Sequence, residues 1–165
     1  MPVDLFRFNT AASVAQWSAI DDRLMGGVSN SRMRHDPAGH ARFEGFVSLQ
    51  HGCGFASVRC AVLQPGVAGA SGYLLEACGD GKRYKLSLRT DDALDGVSYQ
   101  ARFEPARGQW RTLFLPLSAF VPGYRGRSGG NAPVLKPGEV RQFGLLIADR
   151  QEGAFALALR AIRAQ

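Results

Sequence analysis

The sequence predicts an all-β domain, an antiparallel β-sandwich or jelly roll, and three observations carry that prediction. Apolar and polar residues alternate with a period of two in many short segments, as they do when successive side chains point to opposite faces of a sheet. Twenty glycines and eight prolines punctuate those segments. Almost nowhere does the 3.6-residue period of an amphipathic helix appear, and short, evenly spaced strands with little helix point to antiparallel rather than parallel architecture.

From the N-terminus, the one plausible helix is a turn or two beginning at Thr10 as N-cap and running through Ala11, Ala12 and Val14 to Gln16. Arg42 to Leu49 places Phe43, Gly45, Val47 and Leu49 on one strand face. Gly54 to Val62 turns Ala56, Val58 and Cys60 toward a core and Phe55, Ser57 and Arg59 away from it. Gly72 to Ala77 is the next strand. Tyr84 to Thr90 sets Tyr84, Leu86 and Leu88 against Lys85, Ser87 and Arg89, and Ser98 to Phe103 sets Tyr99, Ala101 and Phe103 against Ser98, Gln100 and Arg102. Gln109 to Leu115 and Phe143 to Ala148 follow. Ala154 to Ile162 has the Ala and Leu content of a helix, but the alternation of Phe155, Leu157 and Leu159 fits a strand better. Turn signals at Gly79-Asp80-Gly81, Pro105 and Pro137-Gly138 separate these strands, the first read as a tight hairpin with Asp80 accepting backbone hydrogen bonds. Pro122 to Gly138, rich in Gly, Pro and Arg, is the longest irregular piece and a candidate functional loop.

The 165 residues suit one domain with one core, spanning 1–165. No apolar run reaches the length of a signal peptide or a membrane span. A net charge of +6 favours anionic partners, but the 17 arginines and 3 lysines are dispersed and form no basic block, so nucleic acid is not the expected partner. Cys53, Cys60 and Cys78 are odd in number and lack C-x-x-C spacing; they read as buried reduced thiols rather than a disulfide framework or a zinc site.

Catalytic patterns are missing. His35, His40 and His51 lie in turn-like or hydrophilic stretches, no G-x-S-x-G occurs, and no nucleophile, base and orienting acid group together, so neither an enzyme nor a cofactor or metal is expected. Gly79-Asp80-Gly81 precedes no helix and matches neither a P-loop nor a dinucleotide fingerprint. Asp21 and Asp22, before Met25-Gly26-Gly27, have the make-up of a cation site or an acid–base pair, yet acids beside a glycine turn more often cap the turn or pair with an arginine. The structural reading is preferred. The outward residues of the alternating strands, Lys85, Ser87, Arg89, Ser98, Gln100, Arg102, Phe55, Ser57 and Arg59, with Glu76 as a further candidate, form one polar, mostly basic face if their strands are neighbours. Such a face is either a solvated sheet surface or a platform for sugars or protein partners.

Trp17-Ser-Ala-Ile-Asp-Asp-Arg-Leu-Met-Gly-Gly-Val-Ser29 resembles the W-x-x-x-D-D-x-x-M-G-G-x-S signature of the complex I intermediate-associated protein family. Further blocks agree in order: Phe43-Glu44-Gly45 with Val47-Ser48-Leu49, Gly54 to Arg59, Gly79 to Tyr84, Trp110 with Leu115-Pro116 and Phe120, Arg125-Gly126-Arg127, and Asp149 to Gly153 before Phe155. They run from about Trp17 to Ile162. His51-Gly52-Cys53-Gly54 departs from the family's Asn-rich turn ending Gly-Gly-Phe.

The resemblance implies a galactose-binding-domain-like jelly roll and, for the mitochondrial relatives, a chaperone-like part in assembling NADH:ubiquinone oxidoreductase. Without a transit peptide this chain reads as a bacterial, cytoplasmic member, reaching the inner membrane only through its partners. The expectation is a non-catalytic protein-binding module that helps assemble respiratory complex I or another multi-subunit complex. Asp22, Met25, Arg59, Asp80 and Tyr84 would hold the docking surface in shape, and Phe55, Lys85, Arg89, Arg102, Arg125 and Arg127 would line it. The alternative is a carbohydrate-binding module, with Phe55, Trp110 and Tyr124 stacking on sugar rings.

Overall fold

The computed structural model describes residues 1–61, 66–90, 97–124, 127–128 and 132–165; for Leu24, Met25, Tyr124, Arg127 and Ser128 the description is confined to the backbone. Among the described residues the strands are β1 (Val3–Arg7), β2 (Trp17–Ala19), β3 (Asn30–Asp36), β4 (His40–Val47), β5 (Ala56–Cys60), β6 (Gly72–Cys78), β7 (Tyr84–Arg89), β8 (Ser98–Phe103), β9 (Trp110–Pro116), β10 (Val121–Tyr124), β11 (Arg127–Ser128), β12 (Gln142–Ile147) and β13 (Gly153–Ala164). Helical structure among the described residues is limited to short 3-10 turns. The predicted all-β class is what the chain adopts.

The strands form two antiparallel sheets. The first runs β3-β4-β13-β6-β9, with β1 paired to the C-terminal half of β13; the second runs β11-β10-β8-β7-β12-β5-β2. Long, non-local pairings dominate: β13, last in sequence, sits at the centre of the first sheet, and β12 lies between β5 and β7 in the second. The alternation read from sequence supplies the filling. Phe43, Leu75, Leu157 and Leu159 from the first sheet meet Tyr84, Leu86, Leu88, Leu145 and Ile147 from the second, all essentially inaccessible to solvent. Each such side chain contributes about 1.5–3 kcal/mol of burial. Phe6, Phe8, Trp17, Phe143 and Tyr73 close one end of the core through ring contacts 5.2–5.9 Å apart, the separation at which edge-on and offset aromatic pairs attract.

Several local expectations are corrected. The helix after Thr10 is a single 3-10 turn, Ala11–Val14, and Thr10 makes no side-chain cap. Gly79-Asp80-Gly81 is no hairpin, because β6 and β7 belong to different sheets and the turn carries the chain across the sandwich. His35 and His40 are strand residues, half-buried rather than exposed in loops. Cys60 is buried, but Cys53 and Cys78 are only partly so. Glu76 stands on the first sheet, facing Arg160 and Arg163, and so does not join the basic strands. No helix of the described residues is long and apolar enough to cross a membrane.

Candidate functional site

The Asp21-Asp22 pair ties the edges of the two sheets together. Asp22 is fully buried; its Oδ1 accepts the Ser29 N–H at 3.0 Å, and its Oδ2 accepts the Ser29 hydroxyl at 2.8 Å and the Phe55 N–H at 3.1 Å. Asp21 Oδ1 accepts the Ser31 hydroxyl of β3 at 2.6 Å and the Ser57 N–H of β5 at 3.0 Å. Burial pushes the Asp21 carboxyl above its ordinary pKa, and the Ser31 and Ser57 hydrogen bonds offset part of that rise. The two glycines that follow serve different ends. Gly26 adopts a left-handed φ of 87°, whereas a Cβ on Gly27 would lie 2.3 Å from the Asp22 carboxyl carbon. The signature therefore builds a buried clamp, and one of its hydrogen bonds fixes the backbone of Phe55.

Asp80 makes a second clamp. Its Oδ2 accepts the Tyr84 hydroxyl at 2.9 Å and the Ala156 N–H of β13 at 2.8 Å, and its Oδ1 accepts the Lys82 N–H at 3.0 Å. β6 pairs with β13 only from Ala158 onward, so the carboxylate supplies the acceptor that the strand itself no longer reaches. Burial first, then the Asp80 charge and hydrogen bond, hold the Tyr84 phenol well above its ordinary pKa.

The outward residues of β5, β12, β7 and β8 share one face of the second sheet, in register. Arg59, Gly144, Ser87 and Gln100 form one cross-strand row, and Ser57, Leu146, Lys85 and Arg102 form the next. Arg89 continues the face, opposite Gln142 and Ser98. β12, which the sequence left unplaced between β5 and β7, contributes the position that shapes the site: a Cβ on Gly144 would lie 3.0 Å from the Val58 carbonyl oxygen, 3.3 Å from Arg59 Cγ and 3.7 Å from Ser87 Cβ, so the bare glycine leaves room for the stem of Arg59. Burial, and then the neighbouring charge of Arg89, lower the Arg59 guanidinium to about 10. At one end of the face Asp149 Oδ1 reaches Lys85 Nζ at 3.7 Å and Arg102 Nη2 at 3.5 Å.

Of the residues expected from sequence, the fold thus brings Phe55, Arg59, Lys85 and Arg102 onto one surface, while Arg89, on the same face of its strand, is buried. Asp22, Asp80 and Tyr84 lie behind it in hydrogen-bonded clamps. Met25 ends the 3-10 turn Asp22–Met25, its side chain outside the description; Arg127 lies in β11, its side chain likewise; and Arg125 is outside the described residues. Trp110 belongs to the first sheet, under the Arg160 guanidinium at 3.9 Å. Sequence reasoning missed Gly144 and Asp149 as parts of the face; the left-handed backbone of Asp149 and Arg150, the feature that folds this turn back over the sheet, leaves no periodic signal. Among the described residues no group of three or more His, Cys, Asp or Glu is placed to hold a metal ion.

Two antiparallel sheets packed face to face in this strand order make the chain a β-sandwich of the jelly-roll kind. The chain belongs to the Complex I intermediate-associated protein 30 (CIA30) family, whose model matches residues 6–159. An uncharacterized protein of Schizosaccharomyces pombe is 29% identical over 166 residues, covering 88% of this chain and 76% of the relative. Among solved structures, a family 11 carbohydrate-binding module from Clostridium thermocellum in complex with a β-1,3-1,4-mixed-linked tetrasaccharide matches with a TM-score of 0.70 at 14% identity, covering 99% of this chain and 94% of that one. A family 29 carbohydrate-binding module matches with a TM-score of 0.55 at 8% identity, covering 100% and 91%. At these identities the likeness is one of fold.

Proposed function

We propose that this chain is a non-catalytic protein-binding module that assists assembly of a multi-subunit complex, respiratory complex I being the candidate its family suggests. In this reading the partner docks an acidic surface on the second sheet. The observation that supports it best is the placement of Arg59, Lys85 and Arg102 on one face of register-locked strands, with the buried Arg89 close enough to Arg59 for its charge to lower the Arg59 pKa. Cationic groups held together on a rigid sheet raise the association rate and select partners by sign of charge. Affinity purification of tagged protein from its native cells tests this, with Lys85→Glu/Arg102→Glu alongside. Recovery of membrane-complex subunits by the wild type and their loss in the variant is expected; equal recovery by both would sink the reading.

Carbohydrate binding is the second reading, favoured by the fold shared with the two carbohydrate-binding modules. The distribution of aromatic rings weighs against it. Tyr84, Tyr99, Phe103 and Phe143 all point into the core, Trp110 lies on the other sheet, and among the described side chains only Phe55 offers a ring at the edge of the polar face. A glycan screen with millimolar neutral oligosaccharides separates the readings: binding there, abolished in Phe55→Ala, would replace the protein partner with a sugar.

A further inference from the structure

At the end of the basic face lies a depression of about 270 Å³ between the turn Gly52-Cys53-Gly54-Phe55, which leads into β5, and Ala148-Asp149-Arg150, which leaves β12. That volume is below the ~300–1,000 Å³ typical of small-molecule sites and suits one large side chain. Its walls include the half-exposed ring of Phe55 and the methyl group of Ala148, with the charged Asp149 and Arg150 beside them. Its setting is specified on both sides. The Asp22 clamp holds the Phe55 N–H. Opposite, Asp149 and Arg150 stand at φ of 60° and 56°, a conformation that residues with a side chain rarely adopt. The Gln151 amide holds that turn, accepting the Arg83 N–H at 2.9 Å and donating to the Arg83 carbonyl at 2.8 Å and the Ala148 carbonyl at 2.9 Å. The depression and the basic face are one surface, because Asp149, on its rim, is also the group that reaches Lys85 and Arg102.

We propose that this depression is an anchor pocket for one aromatic or large aliphatic side chain of an extended, acidic segment of the partner protein, whose carboxylates meet Lys85 and Arg102. The inference rests on the protein-docking reading of the face and adds a sequence requirement to it. Lys85 lies two strands from Phe55 and one inward-outward repeat along, and Arg102 three strands away, so sheet spacings put them roughly 12 and 16 Å from the anchor. An extended chain advancing about 3.3 Å per residue covers those distances in three to five residues. The recognised segment is therefore a large apolar residue followed or preceded, three to five positions away, by acidic ones. Asp149 keeps the two cations oriented toward that path, and charge complementarity selects the acidic segment over a basic or neutral one.

The test uses the full chain and two fluorescein-labelled eight-residue peptides, one with a phenylalanine four residues before three glutamates, the other with alanine in place of the phenylalanine, read by fluorescence anisotropy. The phenylalanine peptide is expected to bind wild type at least about tenfold more tightly, the effect of burying one large apolar side chain. Ala148→Leu, which fills the pocket from its other wall, is expected to erase that difference while leaving the alanine peptide's affinity unchanged, and Phe55→Ala is expected to erase the difference as well. Lys85→Glu/Arg102→Glu is expected to weaken both peptides. Equal affinity of the two peptides for wild type would overturn the anchor pocket and leave the basic face standing, whereas no binding of either at millimolar concentration would overturn both. Displacement of the phenylalanine peptide by a neutral glucan tetrasaccharide would also overturn the proposal, assigning the pocket to a sugar.

Discussion

Replacing Asp22 by alanine removes a carboxylate with no solvent access and three protein donors. The Ser29 hydroxyl has another acceptor in the Ser48 carbonyl at 3.3 Å, so it re-pairs. The Ser29 and Phe55 N–H groups have no such recourse, and each buried donor left unsatisfied costs about 1–3 kcal/mol. Adding the small void left by the carboxylate, Asp22→Ala is expected to destabilise the fold by about 3–5 kcal/mol, a large share of the ~5–15 kcal/mol of a typical domain. Urea unfolding followed by tryptophan fluorescence measures this: at a slope near 2 kcal/mol per molar, the midpoint falls by about 2 M. Asp22→Asn keeps one acceptor and is expected between alanine and wild type. A loss below about 1 kcal/mol for Asp22→Ala would refute the clamp, because it would mean that water or local rearrangement satisfies both amides at little cost.

Three further outcomes follow from the same geometry. Tyr84→Phe deletes one of the three hydrogen bonds to Asp80 and is expected to cost about 1–2 kcal/mol in thermal unfolding with partner recovery intact; lost recovery at unchanged stability would move Tyr84 onto the docking surface. On the first sheet burial raises the Glu44 pKa, but hydrogen bonds from Arg34, Arg32 and Arg42 outweigh it and bring the carboxyl from 4.5 to about 2. Its contribution is therefore complete above about pH 4.5 and lost as pH falls through about 2, so Glu44→Gln should flatten acid denaturation in that window by about 1–2 kcal/mol after allowing for the exposed Arg32; an unaltered acid limb would contradict this. Gly144→Val places a side chain against the stem of Arg59 and the Val58 carbonyl, and the Arg59 Nε–H resonance is expected to shift while partner recovery drops; an unmoved resonance would show that Arg59 does not depend on the gap.

The strands with one buried face were legible in the sequence because alternation is a local consequence of the pleat. Tyr84–Arg89, Ser98–Phe103 and Gly72–Cys78 fall within a residue of where Leu86, Tyr99 and Leu75 would put them. Asn30–Asp36 was not, since an edge strand reading Asn-Ser-Arg-Met-Arg-His-Asp has only Met33 buried and no contrast between its faces. Val3–Arg7 and Trp17–Ala19 are short edge strands whose residues are mostly exposed. Sheet membership is less legible still. Glu76 and Lys85 alternate in the same way, yet they stand on opposite sheets because the chain crosses the sandwich at Asp80, where the Asp80–Ala156 and Asp80–Tyr84 bonds hold the turn and no local pattern marks the crossing. The face was readable as a set of outward residues, but its continuity depends on Gly144 and Leu146, supplied by a strand more than fifty residues downstream of Lys85.

The division between clamp and face has a consequence for how the two kinds of residue fail. Asp22 presents no surface, so a partner never touches it, and its loss reaches docking only through the position of Phe55 or through unfolding. Arg102 carries little of the fold: its side chain is exposed and meets Asp149 at 3.5 Å, and an exposed pair of that kind contributes about 0–1 kcal/mol, whereas Lys85, 3.7 Å from the same carboxylate, is largely covered. Removing the exposed charge in Arg102→Ala should therefore weaken docking at nearly constant stability, while Asp22→Asn should lower both together. If a stabilising additive that restores the folded population of Asp22→Asn also restores partner recovery, the clamp acts through folding alone. If recovery stays low in the fully folded variant, Asp22 acts by placing Phe55, and the pocket beside that ring takes part in docking.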